Sequence, residues 1–168
     1  MAIELRRAKP PDADFLVELL ADDEVRQFLG PRSATTRAEV LEEIDRSLAE
    51  PKSFGRFVIE ADGEPAGMLG FHVANARSRI ARLERLAVHP AFRGRRLADE
   101  AARLFQRLLL EELGFHRLEL EIYAVNERAY AHAERVGFVR EGRKRQAYLK
   151  DGDWVDSVLY ALIPEDLD

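Results

Sequence analysis

The residues best placed to do chemistry lie in one stretch, LAVHPAFRGRRLADEAA (86–102). Apolar alternation ends at His89-Pro90, a loop carries Arg93, Gly94, Arg95 and Arg96, and a helical pattern begins at once. The first turn of a helix leaves N–H groups without intrahelical acceptors, and the dipole makes that end positive. Such a turn is an anion site, and a phosphate or pyrophosphate is its natural ligand. Gly94 permits close backbone approach, and the three arginines add charge. No Gly-Lys-Ser/Thr comes after it, so this is no Walker motif, and the glycine spacing is wrong for a dinucleotide fingerprint. Taken alone, the stretch fits an ordinary loop with solvated arginines equally well.

Glu84, on the segment leading into that loop, is the first candidate for a general base, acting directly or through water. The competing reading is a salt bridge to a neighbouring arginine. Glu119 and Glu121 share the non-core side of a later strand and come next, against a reading as solvated carboxylates. The chain has no cysteine, which excludes disulfides, thiolate metal sites and a cysteine nucleophile. The four histidines lack metal-ligand spacing, so no metal is expected.

These groups need a scaffold. Residues 3–8 alternate as a strand, and Pro10-Pro11 open a helix with Phe15, Leu16, Leu19 and Leu20 on its apolar face. Residues 22–29 read as a short helix stopping at Gly30-Pro31. Thr36-x-x-Glu39 is a capping box for a helix carrying Val40, Leu41, Ile44 and Leu48. Strands at 54–61 and 65–74 flank a hairpin at Asp62-Gly63-Glu64. In the next strand, 79–90, the apolar positions change parity from Ile80 to Leu83, Leu86 and Val88. A bulge near 82–86 and burial on both faces each account for that. A long helix over 95–113, a strand over 116–125, a helix from Asn126 to Val136 and strands at 139–149 and 154–162 complete the chain. The order β-α-α-α-β-β-β-α-β-α-β-β predicts an α+β fold around a mainly antiparallel sheet.

With 168 residues the chain suits a single domain, 1–168. A net charge of −5 argues against sequence-blind nucleic-acid binding. No apolar run approaches the ~20 residues needed to span a bilayer, and the N-terminus has no signal-peptide core. A cytoplasmic protein without a membrane partner is expected. Exposed sheet edges leave room for a homodimer.

Two spacings then carry a resemblance. Val88-x-Pro90-x-x-Arg93-Gly94-x-x-x-Ala98, with Asn126-x-x-Ala129-x7-Gly137-Phe138 further on, resembles the GNAT superfamily of acetyl-CoA-dependent N-acetyltransferases. The likeness covers nearly the whole chain. The opening LRRAKPPDADFLVELLADDEVRQFL and the ending REG…DGDWVDSVLY are similar to its RimJ/RimL-like branch. The resemblance implies a splayed GNAT-type sheet and acetyl-CoA as co-substrate. It implies that backbone groups of Leu86, Ala87 and Val88 pair with the pantetheine arm. Amides of Arg93, Gly94, Arg95, Arg96, Leu97 and Ala98 would hold the pyrophosphate. Asn126 would bond the pantetheine, Ala129 and His132 would line the cofactor wall, and Phe28 and Leu29 would line the acceptor pocket.

Two positions depart from the family pattern. Arg96 stands where the motif has its middle glycine. A positive φ there costs about 1–2 kcal/mol; the first residues of a helix have negative φ, and Arg96 is expected among them. Ala133 stands where many members carry a tyrosine, four residues before Gly137-Phe138. Tyr130 or His132 is the candidate to stand in as acid, against a reading of both as packing or cofactor-wall residues, and a thiol of pKa near 8.5 can also leave as thiolate. The expected reaction is direct attack of a primary amine on acetyl-CoA in a ternary complex. A non-catalytic acyl-CoA sensor on the same fold is the alternative. Neutralising a lysine-type amine at pH 7.5 costs roughly 4 kcal/mol, against well under 1 for an α-amine. A site without an obvious dedicated base therefore suits an N-terminal α-amine, with a small amine as the other acceptor class.

Overall fold

Pro10 and Pro11 open a 3-10 turn that runs directly into helix α1 (Ala13–Ala21). Asp12 closes this turn against strand β1 (Ile3–Arg7): its carboxylate accepts both guanidinium arms of Arg6, at 2.7 and 2.8 Å, and the Lys9 N–H at 2.7 Å. The Thr36–Glu39 capping box forms as expected and starts α3 (Arg37–Ala49), while α2 (Asp23–Arg26) is a single turn capped by Asp22. The computed structural model describes residues 1–29 and 33–167, so the Gly30-Pro31 stop lies outside the described residues.

Strands β2 (Phe54–Ala61) and β3 (Glu64–Asn75) form the predicted hairpin. Its turn residues Asp62 and Gly63 both have positive φ, 49° and 82°, as a tight antiparallel turn requires. Then come β4 (Ile80–Val88), α4 (Leu97–Arg107), β5 (Arg117–Tyr123), α5 (Glu127–Arg135), β6 (Val139–Lys150) and β7 (Asp153–Leu162). The order of strands and helices matches the one predicted from the sequence. The strands are hydrogen-bonded in the order β1-β2-β3-β4-β5-β7-β6. The β4–β5 pair is parallel, while β1–β2, β2–β3, β5–β7 and β6–β7 are antiparallel.

By packing, the chain divides into two compact units, Met1–Val73 with Leu83–Phe105, and Ala74–Arg82 with Gln106–Asp168. In the first, Leu16, Leu19 and Leu20 of α1 and Val40 and Ile44 of α3 cover Val58, Met68 and Ala87. Burying each such aliphatic side chain contributes about 1.5–3 kcal/mol. Phe57 and Phe71 meet Phe105 of α4, with ring centroids 5.1 and 6.1 Å away. Ser47 takes the buried place that the helical period suggested for Leu48. It is fully buried and its Oγ accepts the Arg56 N–H at 2.9 Å, while Leu48 is exposed.

In the second unit the core forms from Leu118, Ile122, Val158, Tyr160 and Leu162, with Ala133, Val136 and Phe138. The helix after α4 widens: Leu108–Glu112 is a π-helical turn, in which the Leu113 N–H bonds the Leu108 carbonyl at 3.0 Å. Strand β6 is the sheet's terminal strand and carries Arg140, Arg143, Lys144 and Arg145, charges that discourage edge-to-edge association. Leu149 and Trp154 face each other at the β6–β7 tip, both 61% exposed. No helix among the described residues is long and apolar enough to cross a membrane.

Two features of β4 shape the chain that leads into the loop before α4. Its parallel ladder with β5 holds three pairs, Ile80↔Arg117, Ala81↔Leu118 and Arg82↔Glu119. Further along, Arg85 adopts φ 60°, a left-handed residue within the 82–86 stretch; the buried positions of the strand are Ala81 and Ala87, which share one parity, while Leu86 is exposed.

Candidate active site

The end of β4 is held very close to β3. A Cβ on Gly67 would lie 2.5 Å from the Ala87 carbonyl oxygen, so only glycine fits there without movement. The His89 N–H then donates to the Ala66 carbonyl at 2.7 Å, and a 3-10 turn over Pro90–Phe92 carries the chain out of the sheet.

The loop beyond this turn is left-handed twice, at Gly94 (φ 81°) and at Arg96 (φ 55°). A Cβ at Gly94 would meet no atom within 4 Å, so glycine answers a conformational need there rather than a spatial one. Arg96 corrects the expectation of negative φ. The helix starts at Leu97, leaving Arg96 outside it in the conformation that the motif's glycine supplies. Glu100 N–H reaches back to the Arg96 carbonyl at 3.3 Å, which opens the α-helical bonding of α4. The amides just before it therefore have no intrahelical acceptor.

The three arginines of the loop do different work. Arg95 and Arg96 are exposed, and Arg95 lies over the Phe92 ring, 5.6 Å from its centroid. Arg93 is turned inward, where its Nε donates to the Val88 carbonyl at 3.1 Å. Its two terminal nitrogens pair with Asp22 at 2.8 Å and Glu24 at 3.0 Å.

Glu84 lies within a buried ionic cluster. Arg56 donates to it at 2.8 Å, and the His72 Nδ1 lies 3.3 Å from its other oxygen. Arg56 also pairs with Glu43 at 3.1 Å, and Glu43 pairs with Arg85. Burial alone would raise the Glu84 pKa. The hydrogen bond with His72 and the charge of Arg56 outweigh it and bring the carboxyl down to about 2. Sequence reasoning missed Arg56, Glu43 and Arg85 as members of this cluster. The signal was an arginine set among the apolar residues of FGRFVI (54–59), because a charge on a buried strand needs a partner.

In the second unit, Asn126 caps α5, its Oδ1 accepting the Ala129 N–H at 3.2 Å. His132 and Ala129 are half-buried along that helix, and Ala133 is buried in the core. The Tyr130 hydroxyl donates to the Tyr123 carbonyl at 3.3 Å, and burial raises its pKa, which keeps the phenol protonated.

Glu121 is not a solvated carboxylate. It accepts from Ser157 Oγ at 2.5 Å, Tyr148 Oη at 2.8 Å and Arg82 at 2.9 Å, with Lys144 at 3.4 Å. Burial would raise its pKa, but these hydroxyls and cations together lower it. Tyr148 is pushed up to about 12 by burial and by its bond to Glu121. Glu119 is likewise paired, to Arg117 at 2.7 Å and Arg82 at 3.3 Å. In the first unit, Phe28 and Leu29 come after α2 half-buried, and Leu29 packs on the α1–α3 core.

A mixed sheet with a three-pair parallel ladder, a kinked fourth strand, and a left-handed turn opening a long helix fit the class that the family match identifies, the N-acetyltransferases. The chain belongs to the GNAT family: residues 2–139 match the Acetyltransferase (GNAT) domain. It is similar to the "SPbeta prophage-derived uncharacterized N-acetyltransferase YokL" of Bacillus subtilis strain 168, 25% identical over 99% of this chain and 92% of that one. It is 24% identical to the spermidine N(1)-acetyltransferase of Escherichia coli K12, over 94% of this chain and 83% of that one. Among solved structures, it shares its fold with a Vibrio cholerae spermidine N-acetyltransferase in complex with CoA and spermine. That likeness has a TM-score of 0.86 at 20% identity, over 98% of this chain and 97% of that one.

Proposed function

We propose that this enzyme transfers the acetyl group of acetyl-CoA to a primary amine by direct attack in a ternary complex. The acceptor is the N-terminal α-amine of a protein or peptide, or a small amine. The turn between β4 and α4 carries this reading. Left-handed Gly94 and Arg96 lead straight into α4, whose first-turn amides lack intrahelical acceptors, and α4 is long enough for its dipole to count.

Bound acetyl-CoA supplies an activated thioester whose thiol departs without a strong acid. The chain's own residues bind and orient it. Amides of Gly94, Arg95, Arg96, Leu97 and Ala98 receive the diphosphate, and exposed Arg95 and Arg96 add charge; the Arg93 N–H, expected among them, is taken instead by the Pro90 carbonyl at 3.4 Å, closing the 3-10 turn. Backbone groups of Leu86, Ala87 and Val88 pair with the pantetheine arm, in a segment that Gly67 lets lie tight against β3. Asn126 spends its oxygen on the cap of α5, which leaves its side-chain N–H groups to donate to the cofactor, with Ala129 and His132 alongside. Phe28 and Leu29 border the acceptor.

The low pKa of Glu84 changes its part. A carboxylate near 2 is an anion at any assay pH, so it orients the attacking amine or its water rather than acting as the titrating base. Tyr130, kept protonated, remains the candidate to assist the leaving thiol. The test is release of free CoA thiol at pH 7.5 with N-terminal peptides, spermidine, aminoglycosides and free amino acids as acceptors. Turnover with at least one amine is expected; no release with any of them defeats the reading.

A further inference from the structure

The diphosphate turn and the α2 segment are tied together by one side chain. Arg93 is three-quarters buried, and its guanidinium is committed in three directions: to the Val88 carbonyl, to Asp22 and to Glu24. Asp22 serves two partners at once. The carboxylate oxygen that pairs with Arg93 at 2.8 Å also accepts the Val25 N–H at 3.3 Å, capping α2. Arg93 therefore holds the cap of the helix as well as its first turn.

Alone, α2 has little to keep it in place. It has four residues, none of them buried, and a single helical turn is unstable in water. Val25 and Leu29 lean on the core, but the polar anchors of the segment are Asp22 and Glu24. A second tie runs nearby: the His89 ring stacks on Phe15 of α1 with centroids 6.0 Å apart, and its Nε2 lies 3.4 Å from Glu18. The stretch from His89 to Arg93 is thus fastened to α1 and α2 at both ends.

We propose that Arg93 is a positioning residue that couples the coenzyme turn to α2 and, through it, to Phe28 and Leu29. This rests on the coenzyme reading proposed for the β4–α4 turn. When the diphosphate settles on the amides after Arg93, the turn loses freedom, and the clasp passes that order to α2. Acceptor-side residues are then fixed only once the coenzyme is seated. By linkage, an acceptor that orders α2 tightens coenzyme binding by the same factor.

The experiment measures hydrogen exchange over residues 22–29 with and without CoA, alongside calorimetric CoA affinity. The variant is Asp22→Asn with Glu24→Gln, which keeps a good capping residue but removes both charges. In the native enzyme, CoA is expected to slow exchange of this segment about fivefold or more, the lower end of ordinary couplings. In the variant, CoA should bind within about threefold of native affinity while that protection disappears, and Arg93→Met should lose it too. A variant that keeps the CoA-dependent protection overturns the proposal, as does native enzyme that binds CoA and shows none. Native enzyme that fails to bind CoA defeats the coenzyme reading itself, and the coupling with it.

Discussion

Glu84 and Glu121 solve the same problem with different parts. Each is a poorly solvated carboxylate on a strand, and each is held below the ordinary carboxylate range. Around Glu84 the partners are a guanidinium and an imidazole, and the guanidinium is shared with Glu43, which also holds Arg85. Around Glu121 two hydroxyls join Arg82 and Lys144. The first arrangement is charge against charge and stands or falls as a unit, because losing one ion strands the rest. The second divides its bonds between two cations and two neutral hydroxyls, so a hydroxyl can be lost without stranding a charge. An ionic cluster beside a left-handed kink fixes a backbone shape; a hydroxyl ring tunes one carboxylate.

The largest effect should come from breaking that contrast at its hub. Arg56→Met leaves Glu84 and Glu43 without their shared cation and is expected to cost about 3–5 kcal/mol in a denaturant melt. Tyr148→Phe, in the other cluster, should cost about 1–2 kcal/mol. Equal losses would show that the two clusters do not differ in kind.

Next is the acid response. The folded-state pKa of Glu84 is depressed from 4.5 to about 2, so its stabilisation is complete above 4.5 and is lost as pH falls from there to 2. That amounts to about 3 kcal/mol, and Glu84→Gln should flatten this part of a stability–pH curve. A curve unchanged by the substitution contradicts the ion-paired state.

In catalysis, Glu84→Gln should slow turnover about 10–100-fold through misplacement of the amine, with the acidic limb of the rate profile left where it was. That limb then belongs to the acceptor's own amine. Loss of the limb restores Glu84 as a titrating base, and unchanged turnover removes it from the mechanism.

The smallest effect tests the turn. Arg96→Gly relieves a left-handed arginine but frees the unfolded chain, so a net gain of about 1 kcal/mol or less, some 2 °C in Tm, is expected. A loss of stability would mean that the arginine side chain contributes more than its conformation costs.

Element order can be read directly from the sequence, because the apolar period switches between two and 3.6 in most elements, the 79–90 strand excepted, and the caps sit where they should, as at Thr36-x-x-Glu39. The turn between β4 and α4 is visible for a similar reason: strand, arginine-glycine loop and helix are contiguous. What escapes depends on distant partners or on a one-residue shift. The φ of Arg96 escapes because α4 begins at Leu97, and nothing local marks that start. The burial of Glu121 comes from Tyr148 and Ser157, about 30 residues away in sequence. The inward turn of Arg93 depends on Asp22, 71 residues earlier. The π-turn at Leu108 lies at the end of an uninterrupted helical pattern, and we have no physical account of it from the sequence.

The single tryptophan of the chain, Trp154, stands in the open at the β6–β7 tip, beyond the core of its unit. Its indole meets water before unfolding as well as after, so intrinsic emission starts near its red limit and changes little on denaturation. The same placement makes it a quiet local reporter: any partner or acceptor that covers this hairpin will shift the fluorescence to the blue, without added dye and with no other indole to mask the signal.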